Sequence, residues 1–130
     1  MTIGVSSTSL NESQEDYLKA IYLISRHKKG GWVSNSEISD YLDIKPASVS
    51  GMLHKLKEKG FIIWKPRSSI RLTKNGKSVA TQVIKNYKKL NDFFISILKL
   101  DDKDLIDTLC CGIEHHITPE VRKSINNLLN

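Results

Sequence analysis

Between Val33 and Gly60 the sequence carries two short amphipathic patterns joined by a tight turn, and this pairing constrains the fold more than any other feature of the chain. Ser34 and Glu37 form a Ser-x-x-Glu box at the start of the first pattern, whose Ile38, Tyr41 and Leu42 are expected to face inward. Asp43 to Lys45 is the turn. Pro46 suits the first turn of the second pattern, where a helix has no intrahelical partner for the N–H that proline lacks. Val49, Met52, Leu53 and Leu56 repeat on its buried side, and Gly60 ends it in the left-handed conformation that helix caps use. Two helices of this length and spacing read as a helix-turn-helix, which implies double-stranded DNA as a partner.

Charge supports a polyanionic partner. Residues 45–89 hold twelve Lys and Arg against one Glu, a block of +11, while residues 1–44 and 90–130 carry −2 and −3. Such a block favours nucleic acid over a merely solvated surface. No apolar run is long enough to span a bilayer, and Met1 to Leu10 lacks the basic and apolar regions of a signal peptide, so a cytoplasmic protein without a membrane partner is expected. Cys110 and Cys111, being adjacent, supply no loop-closing disulfide and are read as thiols. Their role is burial or metal binding.

Around the helix-turn-helix the pattern is mainly helical with a small β-hairpin. Residues 1–10 read as a disordered tail. Asn11 and Gln14 resemble a cap for a helix running to about His27 through Tyr17, Leu18, Ile21, Tyr22 and Ile24. Phe61 to Trp64 and Ile70 to Leu72 are β-prone runs on either side of Lys65-Pro66-Arg67-Ser68-Ser69, a hairpin with a basic tip. A helix-turn-helix followed by such a hairpin is a winged helix. A long helix follows from Thr73 to about Leu98, then helices over Asp101 to Cys111 and Pro119 to Leu129. The expected organisation is a winged helix-turn-helix domain over residues 11–74 and an all-helical dimerisation domain over residues 75–130.

The second helix of a helix-turn-helix enters the major groove by its N-terminal part, which needs short side chains able to approach and hydrogen-bond. Pro46, Ala47, Ser48, Ser50 and Gly51 stand there. Ser48 and Ser50 can donate or accept, and Ala47 offers a methyl contact to thymine. No Arg, Asn or Gln capable of bidentate base contact is among them, so shape and dimer spacing are expected to carry much of the specificity. Lys45, Lys55, Lys65, Arg67 and Arg71 are the candidate phosphate contacts.

Cys111, Glu114 and His115 lie at i, i+3 and i+4, so on a helix a thiol, a carboxylate and an imidazole share one side. That set suits a divalent transition metal if a fourth ligand arrives from elsewhere.

Four motifs taken together give a resemblance. They are Glu15-Asp16-Tyr17-Leu18-x-x-Ile21-Tyr22, Pro46-Ala47-Ser48-Val49-Ser50, Leu72-Thr73-x-x-Gly76 and Gly112-Ile113-Glu114-His115-His116. With them, Asn11 to Asn130 resembles the metal-dependent repressors of the diphtheria toxin repressor and manganese transport regulator family, in a short form without an SH3-like domain. The resemblance implies a homodimer that binds operator DNA when Fe²⁺ or Mn²⁺ links the first helix to the dimerisation helices. It implies a primary metal site of Asp16, Cys111, Glu114 and His115. Asp16 matches the manganese branch and Cys111 the iron branch, and the softness of a thiolate favours Fe²⁺, with Mn²⁺ next. At the second site that the resemblance implies stand Lys19, Tyr87, Asn91 and Asp107. A lysine ammonium cannot ligate and a neutral phenol ligates poorly, so one metal per subunit is expected.

The competing reading is a winged-helix regulator that does not respond to metal. An enzyme is not expected, nor a small-molecule substrate: there is no His-Glu-x-x-His pair, nucleophile elbow or phosphate-cradling glycine loop. A winged helix that binds only proteins is disfavoured by the +11 block.

Overall fold

Helix α1 (Glu12–Ser25) begins at Asn11, whose side chain accepts from the Gln14 amide at 2.8 Å while Gln14 Oε1 accepts from the Asn11 amide at 3.1 Å. This reciprocal box satisfies two of the N–H groups that every helix start leaves over. The computed structural model describes residues 10–65 and 69–130. Apart from Leu10, the expected N-terminal tail lies outside the described residues, as do Pro66, Arg67 and Ser68 of the expected basic tip. Leu10 itself is half-buried and packs on the first core rather than belonging to a tail.

The chain divides into two compact units, Met1–Thr81 and Gln82–Asn130. In the first, α1 stops at Ser25 rather than at His27, and a 3₁₀ turn over Lys29–Gly31 follows with Gly30 and Gly31 at φ of 78° and 74°. Then come β1 (Val33–Ser34), α2 (Asn35–Leu42), α3 (Pro46–Glu58), β2 (Ile62–Lys65) and β3 (Ser69–Leu72). The strands form an antiparallel sheet in the order β1-β3-β2, with Val33 opposite Ile70 and Ile62 opposite Leu72. The expected hairpin is therefore a three-stranded sheet. Two residues are too few for β1 to show a period-2 pattern, and only its partner β3 makes it a strand.

The Ser34–Glu37 box forms as expected: Ser34 Oγ accepts from the Glu37 amide at 3.1 Å and Glu37 Oε1 accepts from the Ser34 amide at 2.9 Å. Lys28 Nζ reaches the other Glu37 oxygen at 2.5 Å, and this bond, more than the amide of Ser34, holds the Glu37 carboxyl below its usual pKa. Tyr41 does not face inward; it is 54% exposed. Ser39 is buried instead, where its hydroxyl finds an acceptor in the Ile44 carbonyl of the turn. Asp43 ends α2 in the left-handed region, at φ 56°. The core of this unit is Tyr17, Leu18, Ile21, Val33, Ile38, Val49, Leu53, Leu56, Phe61, Ile62, Ile70 and Ala80.

Helix α4 (Lys74–Ser96) leaves the wing through a tight joint. The Thr73 hydroxyl donates to the Gly60 carbonyl at 2.7 Å and its oxygen accepts from the Gly76 amide at 3.1 Å, while the Thr73 amide donates to the Phe61 carbonyl at 3.1 Å. A Cβ on Gly76 would stand 2.1 Å from the Phe61 carbonyl oxygen. The Leu72-Thr73-x-x-Gly76 motif is thus a packing requirement: only glycine lets the first turn of α4 touch that carbonyl.

The second unit holds the rest of α4, then α5 (Lys103–Ile113), a 3₁₀ turn over Glu114–His116 and α6 (Pro119–Leu129). Asp102 caps α5 by accepting from the Asp104 and Leu105 amides, both at 3.1 Å, which moves its start from the expected Asp101. Thr118 caps α6, with Pro119 in the first turn. Leu90, Phe94, Ile106, Cys110 and Ile125 form the core, while Ile95, Leu98 and Leu105 remain exposed.

Candidate nucleic-acid interface and metal centre

Burial of Val49, Leu53 and Leu56 turns the opposite side of α3 outward. Lys45, Pro46, Ala47, Ser48, Gly51 and Lys55 are all exposed on that helix or its cap. Nothing lies within 4 Å of where a Gly51 Cβ would be, so the fold itself does not call for glycine there. Ser50 differs: it is half-buried, and its Oγ accepts from Asn35 Nδ2 at 2.9 Å, tying α3 to the start of α2. Its hydroxyl is therefore in part a structural link between the two helices.

On the wing, Lys65 and Arg71 are exposed on the outer face of the sheet, and Arg67 lies outside the described residues. Both described cations rest against the Trp32 ring, Lys65 Nζ at 4.8 Å and Arg71 Cζ at 5.5 Å from its centroid. A face-on indole attracts a cation by about 0.5–1 kcal/mol at exposed sites, enough to bias two flexible side chains toward one place. Sequence reasoning missed Trp32. Its position next to inward-facing Val33 is the signal, since neighbours on a strand point to opposite faces.

In the second unit α5 ends at Ile113, and the residues that follow tighten into the 3₁₀ turn. This turn brings Glu114 and His115 together, with Nε2 of the imidazole 3.4 Å from a Glu114 oxygen. Both side chains are almost wholly buried, at 1% and 4% exposure. Ionisable groups withdrawn from water to that degree need a charged partner or a bound cation, and an adjacent carboxylate and imidazole are donors that divalent transition metals take. Cys111, by contrast, is exposed, and its thiol donates to Asp107 Oδ1 at 3.9 Å. Asp16 sits on α1 in the first unit.

Asp107 also accepts from the Tyr87 hydroxyl. That hydrogen bond first, and burial second, push the Tyr87 phenol well above its usual range. A phenol held protonated in this way is a poor metal ligand.

A winged helix-turn-helix followed by a helical module with a buried carboxylate–imidazole turn defines a class of DNA-binding regulators. The iron-dependent repressor N-terminal DNA-binding domain matches residues 9–70, and the metal-binding and dimerisation domain of the same repressors matches residues 73–130. The chain belongs to the iron-dependent repressor family, whose members are metal-dependent DNA-binding transcriptional regulators. It is 30% identical over 112 residues to an uncharacterised helix-turn-helix transcriptional regulator of Methanocaldococcus jannaschii, covering 86% of this chain and 88% of that one. It is also 30% identical over 117 residues to the transcriptional regulator MntR of Shouchella clausii, covering 90% and 79%. Among solved structures it is similar to the manganese regulator SloR, with a TM-score of 0.74 and 26% identity over 90% of this chain. IdeR of T. acidophilum gives 0.72 and 25% over 92%. The chain spans about half the length of these two structures, 53% and 54%.

Among the described residues, no helix is long and apolar enough to cross a membrane.

Proposed function

We propose that this chain is a regulator of metal-uptake genes that binds operator DNA as a homodimer when a divalent cation, Fe²⁺ before Mn²⁺, occupies one site per subunit. The observation that carries the reading is the buried Glu114–His115 pair, lying within the part of the chain that matches a metal-binding and dimerisation domain. Asp16, Glu114 and His115 would hold the metal, and Cys111 would join them when its thiol leaves Asp107 and loses its proton. The metal supplies a charge that gathers these donors. Mn²⁺ and Fe²⁺ accept the carboxylates and imidazole alike, and the thiolate tips the set toward Fe²⁺.

The output lies on α3 and the wing. Lys45, Lys55, Lys65, Arg67 and Arg71 would meet phosphates, while Pro46, Ala47, Ser48, Ser50 and Gly51 would lie along the base edges. The exposed Ile95, Leu98 and Leu105 suit burial against a second copy of the chain. Two recognition helices in one dimer must match the spacing of two half-sites. A metal that joins Asp16 of α1 to the Glu114–His115 turn would favour one spacing, and DNA would favour the same one. Metal and operator then strengthen each other's binding by an equal factor.

Calorimetric titration of Fe²⁺ and Mn²⁺ into metal-free protein under anaerobic conditions tests the site. One equivalent per subunit is expected, lost in Asp16→Ala, Glu114→Gln and His115→Ala, with Cys111→Ser abolishing the preference for Fe²⁺. Full binding in all four variants would refute the ligand set.

A further inference from the structure

Asn86 on α4 is 5% exposed, and each of its polar atoms is engaged within the second unit. Its Nδ2 donates to the carbonyl oxygens of Glu114 at 3.0 Å and Ile117 at 3.3 Å. Its Oδ1 accepts from a guanidinium nitrogen of Arg122, on α6, at 3.1 Å. With its amide oxygen turned toward the guanidinium, Gln82 accepts from Arg122 as well, at 2.6 Å for Nη2.

The geometry answers a backbone need. A helix end leaves carbonyls without intrahelical donors, and buried carbonyls must find partners. At the end of α5 the two carbonyls in question flank His115 and His116, and one amide group with two N–H donors meets both. The Arg122 charge polarises that amide and strengthens its donation. Glu114 and His115 are thus presented from a loop whose two ends are fixed to α4, and through Asn86 to α6.

We infer that Asn86, held by Arg122 and Gln82, is a positioning residue for the Glu114–His115 turn, through which the C-terminal helix sets the affinity for a divalent cation. This rests on the metal reading above. Groups that orient metal ligands without touching the metal change its affinity by about 10–100-fold when removed.

The test compares Asn86→Leu, close in size but without donors, with Arg122→Met and Arg122→Lys. Two quantities are read: hydrogen exchange at the backbone amides of residues 114–118 in metal-free protein, and Mn²⁺ affinity by calorimetry. Faster exchange in the turn and a loss of about 10–100-fold in Mn²⁺ affinity are expected for Asn86→Leu and Arg122→Met, with Arg122→Lys nearer the unaltered protein. Ile106→Val loosens the same core without touching the turn, and its Mn²⁺ affinity should stay unchanged. Folded Asn86→Leu and Arg122→Met proteins with unaltered exchange and Mn²⁺ affinity would overturn the inference. Equal losses in Ile106→Val would overturn it too, by making the effect one of general stability. If Asn86→Leu does not fold, Arg122→Met at its half-buried position carries the same comparison. If the unaltered protein takes up no Mn²⁺ or Fe²⁺, the metal reading fails by itself. The clamp is then judged by exchange alone, and unaltered rates in both variants overturn it.

Discussion

Adding one methyl group at Gly76 should damage this protein about as much as deleting a large side chain from its core. The new Cβ would lie 2.1 Å from the Phe61 carbonyl oxygen, 3.1 Å from its carbon and 3.2 Å from Leu72 Cδ2. Backbone on one side and a packed side chain on the other leave no rotamer to relieve the clash, so the start of α4 must withdraw from the Gly60–Phe61 turn. Withdrawal strains three hydrogen bonds made by Thr73 and Gly76, each worth about 1 kcal/mol net. Overpacking adds about 1–3 kcal/mol, and the better helix propensity of alanine returns about 1 kcal/mol. The net loss is about 3–5 kcal/mol if all three bonds are lost, equivalent to roughly 12–40 °C in Tm for a domain of this size. Urea and thermal unfolding followed by circular dichroism measure it. Gly112→Ala is the internal control: on α5 nothing lies within 4 Å of the new methyl, so the same chemical change should stabilise by about 0.5–1 kcal/mol. Gly76→Ala within about 0.5 kcal/mol of the unaltered protein would refute the close-approach argument.

Gly51→Ala should separate stability from binding. Its methyl meets nothing in the fold, so the helix gains about 0.5–1 kcal/mol, whereas duplex binding should weaken because the bulk falls on the outward side of α3. Unaltered DNA affinity would remove Gly51 from the interface. Lys65→Ala and Arg71→Ala should each lower the slope of log affinity against log salt by about 0.9 if they contact phosphates, on specific and random duplex alike. An unchanged slope in both would exclude the wing root from DNA. The folded pKa of Glu37 lies below its ordinary 4.5, so its contribution to stability is complete above that value and disappears as pH falls through the lower one. The stability gap between unaltered protein and Glu37→Gln should therefore shrink from pH 7 to pH 3, and a gap constant over that range would contradict the assignment.

What could be read from the sequence is what depends on near neighbours. The Asn11–Gln14 and Ser34–Glu37 boxes, the proline starts of α3 and α6 and the cap at Gly60 all act within a few residues, and each stands where the sequence places it. What depends on distant partners could not be read. β1 exists only because β3 pairs with it, and the buried Ser39 hydroxyl is satisfied by the Ile44 carbonyl beyond the end of its own helix, while Tyr41 faces outward. Trp32 gathers Lys65 and Arg71 from across the sheet, and Asn86 meets residues about thirty positions away. At the metal turn, the adjacency of Glu114 and His115 is plain in the sequence, but their burial is not. The Cys111 thiol meets Asp107 one turn back on α5, a near-neighbour contact, whereas the i, i+3, i+4 reading of Cys111, Glu114 and His115 assumes a helix continuing beyond Ile113.

The central claim is that metal occupancy controls DNA binding. The direct measurement is the affinity of anaerobic protein for a duplex selected from a random library in the presence of Fe²⁺, titrated with Fe²⁺, with Mn²⁺ and with chelator. The account predicts that metal tightens binding to the selected duplex by roughly 5–150-fold, the usual range of coupling between two sites, while unselected duplex is barely affected. Equal affinity for the selected duplex with and without metal would contradict it and leave a winged-helix regulator that does not answer to metal.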